Sequence, residues 1–393
     1  MKIDDLLITG CGVATTIGCN TSKFMNNLSQ GFTNFRWHPQ IKERDLWKPI
    51  VAYLDDTDLE AGIDRRSLRK LDRFSLLSMQ AFSQALKHSS LSDQAIHPFG
   101  LLLGNCTGGW TFVEPQMEDI YQGNYDVLSP YVATAWFPTA PQGEISIQNK
   151  IYGYSKTFAA DALSAGYALE HACYLIQNGY LPGAFVGGVE APLSPLVYNS
   201  CIRAEPISSS GNYLPFHKQS NGYLIGEGAG IVALESYDHV QSRGGLPLAR
   251  IAGLGLGSTL SESIEACLNN AKKLPKEINC IFLDAKGTAM YDDEEYSTLD
   301  RHFHSCQDLY LTTTKTLYGS LLAADFAIYL AVATLALGSQ KIPRGLYSKN
   351  KHKFPSFGRL VVDHPVDIEF NNILLYARNL DGSSISVLID SVK

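Results

Sequence analysis

The sequence predicts an α/β fold of five layers, α/β/α/β/α, made of two similar halves. Three observations carry this expectation. First, Leu6-Leu7-Ile8-Thr9-Gly10-Cys11-Gly12 runs as an apolar strand into glycines, and Ala249-Arg250-Ile251-Ala252-Gly253-Leu254-Gly255 repeats the pattern. Second, Phe99-Gly100-Leu101-Leu102-Leu103-Gly104 pairs with Asn279-Cys280-Ile281-Phe282-Leu283-Asp284; both are continuous apolar runs, as expected of strands covered on both faces. Third, each half has a small-residue helix followed by an alternating closing strand. The helices are expected over Asp161–Gly179 and Tyr318–Gly338. The closing strands are Gly230-Ile231-Val232-Ala233-Leu234-Glu235 and Ile385-Ser386-Val387-Leu388-Ile389-Asp390. The halves divide at 1–248 and 249–393.

The elements follow in chain order. Leu71-Asp72-Arg73-Phe74 opens a helix, with Phe74, Leu77, Ala81 and Ala85 at helical spacing. In the helix from Asp161, the residues Leu163, Tyr167, Leu169, Cys173 and Ile176 are apolar. The helix to Gly338 is apolar nearly all round, which places it in the middle layer, buried on all sides. Its longest apolar run, Ala327–Gly338, is too short to span a bilayer, which takes about 20 helical residues.

Composition narrows the function classes. The 393 residues are 45% hydrophobic and 18% charged, enough for a large core, and the net charge is -7. Nucleic-acid binding is excluded, because phosphate contacts need clustered cations. Arg65, Arg66, Arg69, Lys70 and Arg73 are interleaved with apolar residues and Asp72. The eight cysteines form no CxxC pair, so no metal centre is expected, and buried free thiols in a cytoplasmic protein are the default. The start, MKIDDLLITG, lacks the basic and apolar regions of a signal peptide.

Several segments together resemble the β-ketoacyl synthases of the thiolase fold. Ile8-Thr9-Gly10-Cys11-Gly12-Val13 resembles their opening strand and Leu71-Asp72-Arg73-Phe74 their "DRF" helix start. Val186-Gly187-Gly188-Val189-Glu190-Ala191 resembles "GGAEA". Pro215-Phe216-His217-Lys218 with Gly222-Tyr223-Leu224-Ile225-Gly226-Glu227-Gly228-Ala229-Gly230 resembles "PFDxxxDGFxxGEGAG". The resemblance runs from about residue 6 to 390 and implies a thiolase fold. It also implies a reaction in which a helix-start cysteine attacks an acyl thioester and two histidines stabilise the oxyanion.

None of those three groups is present. Anchored on Gly166, the "DTACSSG" motif falls on 160–166 and puts Leu163 at the nucleophile position. Shifted by one, Ser164 takes that place. The histidines of "AHGTGT" and "KSxxGHxxGAAG" fall on Lys286 and Ser320, while the second motif's lysine remains as Lys315. Lys286 is expected to pair with Asp292 or Asp293. Asn379-Leu380-Asp381-Gly382 replaces the "GFGG" loop, and Thr288 keeps one of two threonines that hold the phosphopantetheine arm, Met290 standing at the other.

This profile resembles the chain-length factors, which pair with an active ketosynthase and lack its cysteine. Gly108-Gly109-Trp110-Thr111-Phe112 resembles their "GGFEF", and Ala135-Trp136-Phe137 their "AWF". The resemblance implies that Trp110, Val113 and Met117, at i, i+3 and i+7, limit chain length from one helix face, with plain packing as the alternative. Segment 104–137, with Phe112, Tyr131, Trp136 and Phe137, is the expected interface. The implied function is a non-catalytic subunit of a ketosynthase heterodimer, meeting acyl carrier protein through that complex and needing no cofactor. Polyketide, aryl polyene and unusual fatty acid systems are the implied settings. The alternatives are an independent decarboxylase or hydrolase with a relocated nucleophile, for which a Ser320–Lys286 dyad is one arrangement, and a stand-alone acyl-binding homodimer.

Overall fold

A computed structural model of the chain describes residues 6–37, 49–345 and 357–392. Each half contributes five main strands. In the first they are Leu6–Thr15, Gly100–Gly104, Ser155–Phe158, Gly183–Glu190 and Gly228–Ser236. In the second they are Ala249–Gly257, Cys280–Phe282, Tyr310–Thr312, Asn372–Arg378 and Ser384–Ser391. From the middle outward, both halves run in the order first, fifth, fourth, second, third. The first, fifth and fourth strands pair antiparallel and the remaining pairs are parallel, in both halves. A short strand, Arg359–Leu360, extends the outer edge of the second half. The halves join where Leu7 and Ile8 pair with Arg250 and Ala249, giving one 11-stranded ladder.

The strands' alternation sorts the apolar side chains into layers. Leu102, Val186 and Val232 of the first half meet Cys280, Ile373 and Val387 of the second in one central core. Their neighbours point outward. Leu101, Phe185 and Ile231 pack under helix Arg73–Ser89, whose Phe74, Leu77, Ala81 and Ala85 are buried there. Ile281, Leu374 and Leu388 pack with Ile264, Cys267 and Leu299 of helices Leu260–Ala271 and Ala289–Phe303. The order is therefore helix, sheet, helix, sheet, helix, as the sequence predicts.

Two helices fill the middle layer. Ser164–Gln177 lies mainly on the outer strands of the first half, and Asp325–Ser339 touches strands of both halves. Close approach is enforced by glycine: a Cβ on Gly230 would stand 2.8 Å from backbone atoms of Ala327 and Ile328. The segment Leu322–Ser339 is long and apolar enough to cross a membrane, but 78% of it is buried inside this fold.

The middle helices start later than their apolar pattern suggests. Asp161–Leu163 and Leu322–Ala324 are single 3-10 turns leading into them. Lys315–Tyr318 is a separate turn of helix, cut off at Gly319 with φ +84°. Beyond the cut, Ser320 N donates to Leu224 O (2.7 Å), drawing the chain away from a continuous helix.

A candidate site at the paired helix starts

Both middle helices begin at one cleft of about 720 Å³. Asp161 and Leu322 occupy equivalent places, three residues before the helix, and each has φ +49°. This left-handed step brings both turns to the cleft, where Asp161, Ala162, Ser320 and Leu322 form part of its wall. Leu163 does not reach it; at 1% exposure it belongs to the central core. Ala162, one residue earlier, is the wall residue at this helix start. Ser164 is not an activated alternative. Its Oγ donates to Asp161 O (2.7 Å), accepts from Ala160 N (2.9 Å) and lies 3.1 Å from Cys106 Sγ.

Lys286 and Ser320 both line the cleft, embedded in a buried charge network. Asp284 accepts from Lys315 Nζ (3.0 Å) and Arg378 Nε (3.2 Å), and Lys286 Nζ stands 3.6 Å from it. Burial alone would raise the Asp284 pKa; the charges of Lys286, Lys315 and Arg378 outweigh it and hold the carboxyl well below its ordinary range. The pairing expected with Asp292 or Asp293 is replaced by this one. Asp292 instead accepts from Gly287 N (2.9 Å) and Phe216 N (2.6 Å), and burial pushes its carboxyl up to about 7. Ser320 Oγ donates to Asp325 Oδ2 (2.7 Å), which also receives Lys315 (3.2 Å). The hydroxyl is thus bonded to a carboxylate that is itself ion-paired, and Lys286 to another; no nucleophile–base relay joins them.

Two thiols line the cleft, the buried Cys201 and Cys106, which is partly exposed rather than buried. Burial, with the Glu190 carboxyl behind it, pushes the Cys106 pKa up to about 11, so it stays protonated at neutral pH. Glu190 accepts from Cys106 N (2.6 Å) and from Thr107, and burial raises its own carboxyl to about 7. The wall is completed by Asn379, Leu380 and Asp381, in the turn between the last two strands.

Trp110 lines the cleft at the first position of helix Trp110–Gln122, 6.2 Å from the Trp136 ring. Val113 is buried behind it and Met117 is 48% exposed. The three residues lead from the cleft wall to the surface rather than sharing one environment. Phe112 is half-buried, while Tyr131, Trp136 and Phe137 are exposed, the last two rings 4.5 Å apart. A second aromatic group was not among the sequence candidates. Tyr152, Tyr154, Tyr174 and Tyr180 are exposed beside Ser155–Phe158, the outermost strand of the first half. His171 lies between Tyr154 (5.4 Å) and Phe158 (5.7 Å).

Comparison with known proteins fits this geometry. Residues 4–239 match the family model "Beta-ketoacyl synthase, N-terminal domain" and residues 256–348 match "Beta-ketoacyl synthase, C-terminal domain". Nodulation protein E of Rhizobium leguminosarum bv. trifolii is 28% identical over 86% of this chain and 87% of its own length. The tetracenomycin polyketide synthase ketoacyl synthase beta subunit of Streptomyces glaucescens is 25% identical over 98% of both chains. Among solved structures, the ishigamide ketosynthase/chain length factor superposes with a TM-score of 0.87 at 18% identity, over 99% of both chains. A ketosynthase complexed with its chain length factor from Xenorhabdus doucetiae gives 0.84 at 18%, over 99% of this chain and 98% of that one.

Proposed function

The chain belongs to the β-ketoacyl synthase family, and we propose that it serves there as the non-catalytic partner of an active β-ketoacyl-[acyl carrier protein] synthase, limiting acyl chain length at a shared tunnel. One observation carries the reading. At the cleft where the two middle helices begin, the wall holds Ala162, Lys286 and Ser320, the latter two fixed by Asp284 and Asp325, with no nucleophile–base pair among them. A cleft so built holds a chain but does not attack a thioester. Full-length similarity to the beta subunit of a polyketide ketosynthase supports the same role.

The partner surface follows from exposure. Trp136, Phe137, Tyr131 and Met117 on segment 104–137 are exposed, as are the tyrosines beside the outermost strand, and the proposed partner covers both groups. Each aromatic, once buried, contributes roughly 1.5–3 kcal/mol. An obligate pair formed here buries more than about 2,000 Å² in total. Carrier protein meets the chain through that pair.

Co-expression with a ketosynthase tests the role. The isolated chain neither condenses acyl groups nor decarboxylates malonyl-carrier protein, and the complex makes a product of defined length. Trp110→Ala lengthens that product while the complex stays intact. Turnover by the contaminant-free isolated chain, or an unchanged product with Trp110→Ala in an intact complex, overturns the reading.

A further inference from the structure

The helix that carries Trp110 starts without a cap of its own. Gly109 is its N-cap residue and has no side chain to accept from the free N–H groups of the first turn. One of those groups, and a hydroxyl beside it, are met from a different element. Asp72, 1% exposed, accepts from Phe112 N (2.6 Å) and from Thr111 Oγ1 (2.6 Å) through Oδ2. Through Oδ1 the same carboxylate accepts from Phe74 N (3.0 Å), capping its own helix Arg73–Ser89. One side chain therefore ties together the starts of two helices about 40 residues apart in sequence.

The junction has no slack. A Cβ on Gly109 would lie 2.9 Å from the Asp72 Cβ and 2.1 Å from Ala135 O. Gly109 N donates to Trp136 O (3.0 Å), which fixes the helix start against the exposed aromatic segment as well. Just upstream, Asn105 Oδ1 accepts from Gly108 N (3.0 Å) and Glu190 holds the backbone of Cys106 and Thr107. Asp72 itself is not part of the cleft wall.

We propose that Asp72 is a positioning residue for Trp110: by capping the Trp110 helix from outside, it sets where the indole stands and so the depth of the acyl path. The proposal rests on the reading that Trp110 closes that path. Arg73, the next residue, is engaged elsewhere, with Glu227 and Asp56, and does not share this task.

The test uses the chain in complex with its co-expressed ketosynthase and reads two quantities. One is amide hydrogen exchange in the peptide spanning 109–118; the other is product length. Asp72→Asn leaves only one oxygen to accept at a junction that uses two. Exchange in that peptide rises by about tenfold or more, and the product lengthens in the direction of Trp110→Ala. Thr111→Val, which removes one donor and keeps the volume, gives a smaller shift of the same sign, and Thr111→Ser restores the parent behaviour. Asp64→Asn, at the cap of helix Arg65–Lys70, where Asp64 accepts from Arg66 N and Ser67 N, changes neither quantity. Unchanged exchange in both Asp72→Asn and Thr111→Val overturns the proposal. So does faster exchange with unaltered product length when Trp110→Ala does lengthen the product. If Trp110→Ala has no effect, the chain-length reading itself falls, and the depth claim with it.

Discussion

Replacing Asp284 with Asn tests the charge network that holds the cleft floor. The carboxylate faces Lys315 at 3.0 Å, Arg378 at 3.2 Å and Lys286 at 3.6 Å, all more than nine-tenths buried. At an effective dielectric of about 20, each pair attracts by about 5 kcal/mol. The cost of burying the carboxylate takes back several kcal/mol. Lys315 keeps Asp325 and Arg378 keeps Glu295, whereas Asp284 is the acidic partner of Lys286 among the described residues. Asp284→Asn therefore orphans one buried ammonium and weakens two other pairs, a loss of about 4 kcal/mol. Chemical denaturation reads this as a lower midpoint at unchanged slope. The double change Asp284→Asn/Lys286→Met recovers part of the loss by removing the orphaned charge. The pH dependence has a definite sign. Because the folded-state pKa of Asp284 lies below its ordinary 3.8, its contribution is full above about pH 4 and fades as the pH falls through the folded value. A loss under about 1 kcal/mol, or a double variant weaker than the single one, refutes the reasoning.

Glu190 has the opposite sign. Burial raises its pKa from 4.5 to about 7, so the folded state keeps a proton that the unfolded chain releases over that window. Its contribution falls by about 3 kcal/mol as pH rises from 4.5 to 7, and Glu190→Gln flattens the measured stability profile across that range. Asp72 and Asp292, raised by burial to about 6 and 7, act in the same direction in the parent chain. Thiol mapping by mass spectrometry separates the two candidate wall positions: in Ala162→Cys the introduced thiol reacts with a small alkylating reagent, and in Leu163→Cys it is protected. The reverse pattern places Leu163 at the cleft after all. Gly230→Ala forces its methyl into the backbone of Ala327 and Ile328 and costs about 3 kcal/mol by denaturation; a neutral effect contradicts the tight packing of the middle layer.

Much of the scaffold is legible in the sequence, because apolar runs and glycines state directly which segments are covered on both faces. The order of the strands is not, since pairing partners lie far apart in the chain. The "DRF" and "GEGAG" segments illustrate the limit. Each is recognisable alone, yet their link, Arg73 to Glu227 across 154 residues, appears only when the chain is folded. At the site, Ala162 rather than Leu163 faces the cleft, because the chain enters the helix through the left-handed backbone of Asp161. Aspartate tolerates that conformation and so leaves no sequence signal. The sequence offers Asp292 and Asp293, ahead of Lys286, as its partners. Asp284, two residues behind, is brought to Lys286 by the left-handed backbone of Ala285 (φ +51°), a turn that no local pattern announces. Exposure of Met117 and of the tyrosines beside the outermost strand depends on what the finished surface leaves uncovered, which no local pattern records.

The helix Asp325–Ser339, buried between both sheets, also fixes a sequence of events in time. The inner faces of strands Leu6–Thr15 and Gly228–Ser236 rest on it. On a ribosome, the first of those strands is made about 320 residues before its cover is complete and the second about 100 residues before. At typical bacterial and eukaryotic elongation rates, the shorter interval is a wait of about 5–20 s with a sheet face open to water. A nascent chain halted just ahead of Asp325 presents that bare face to any chaperone within reach. Emergence of Asp325–Ser339, rather than synthesis of the first half, becomes the moment at which that face is covered.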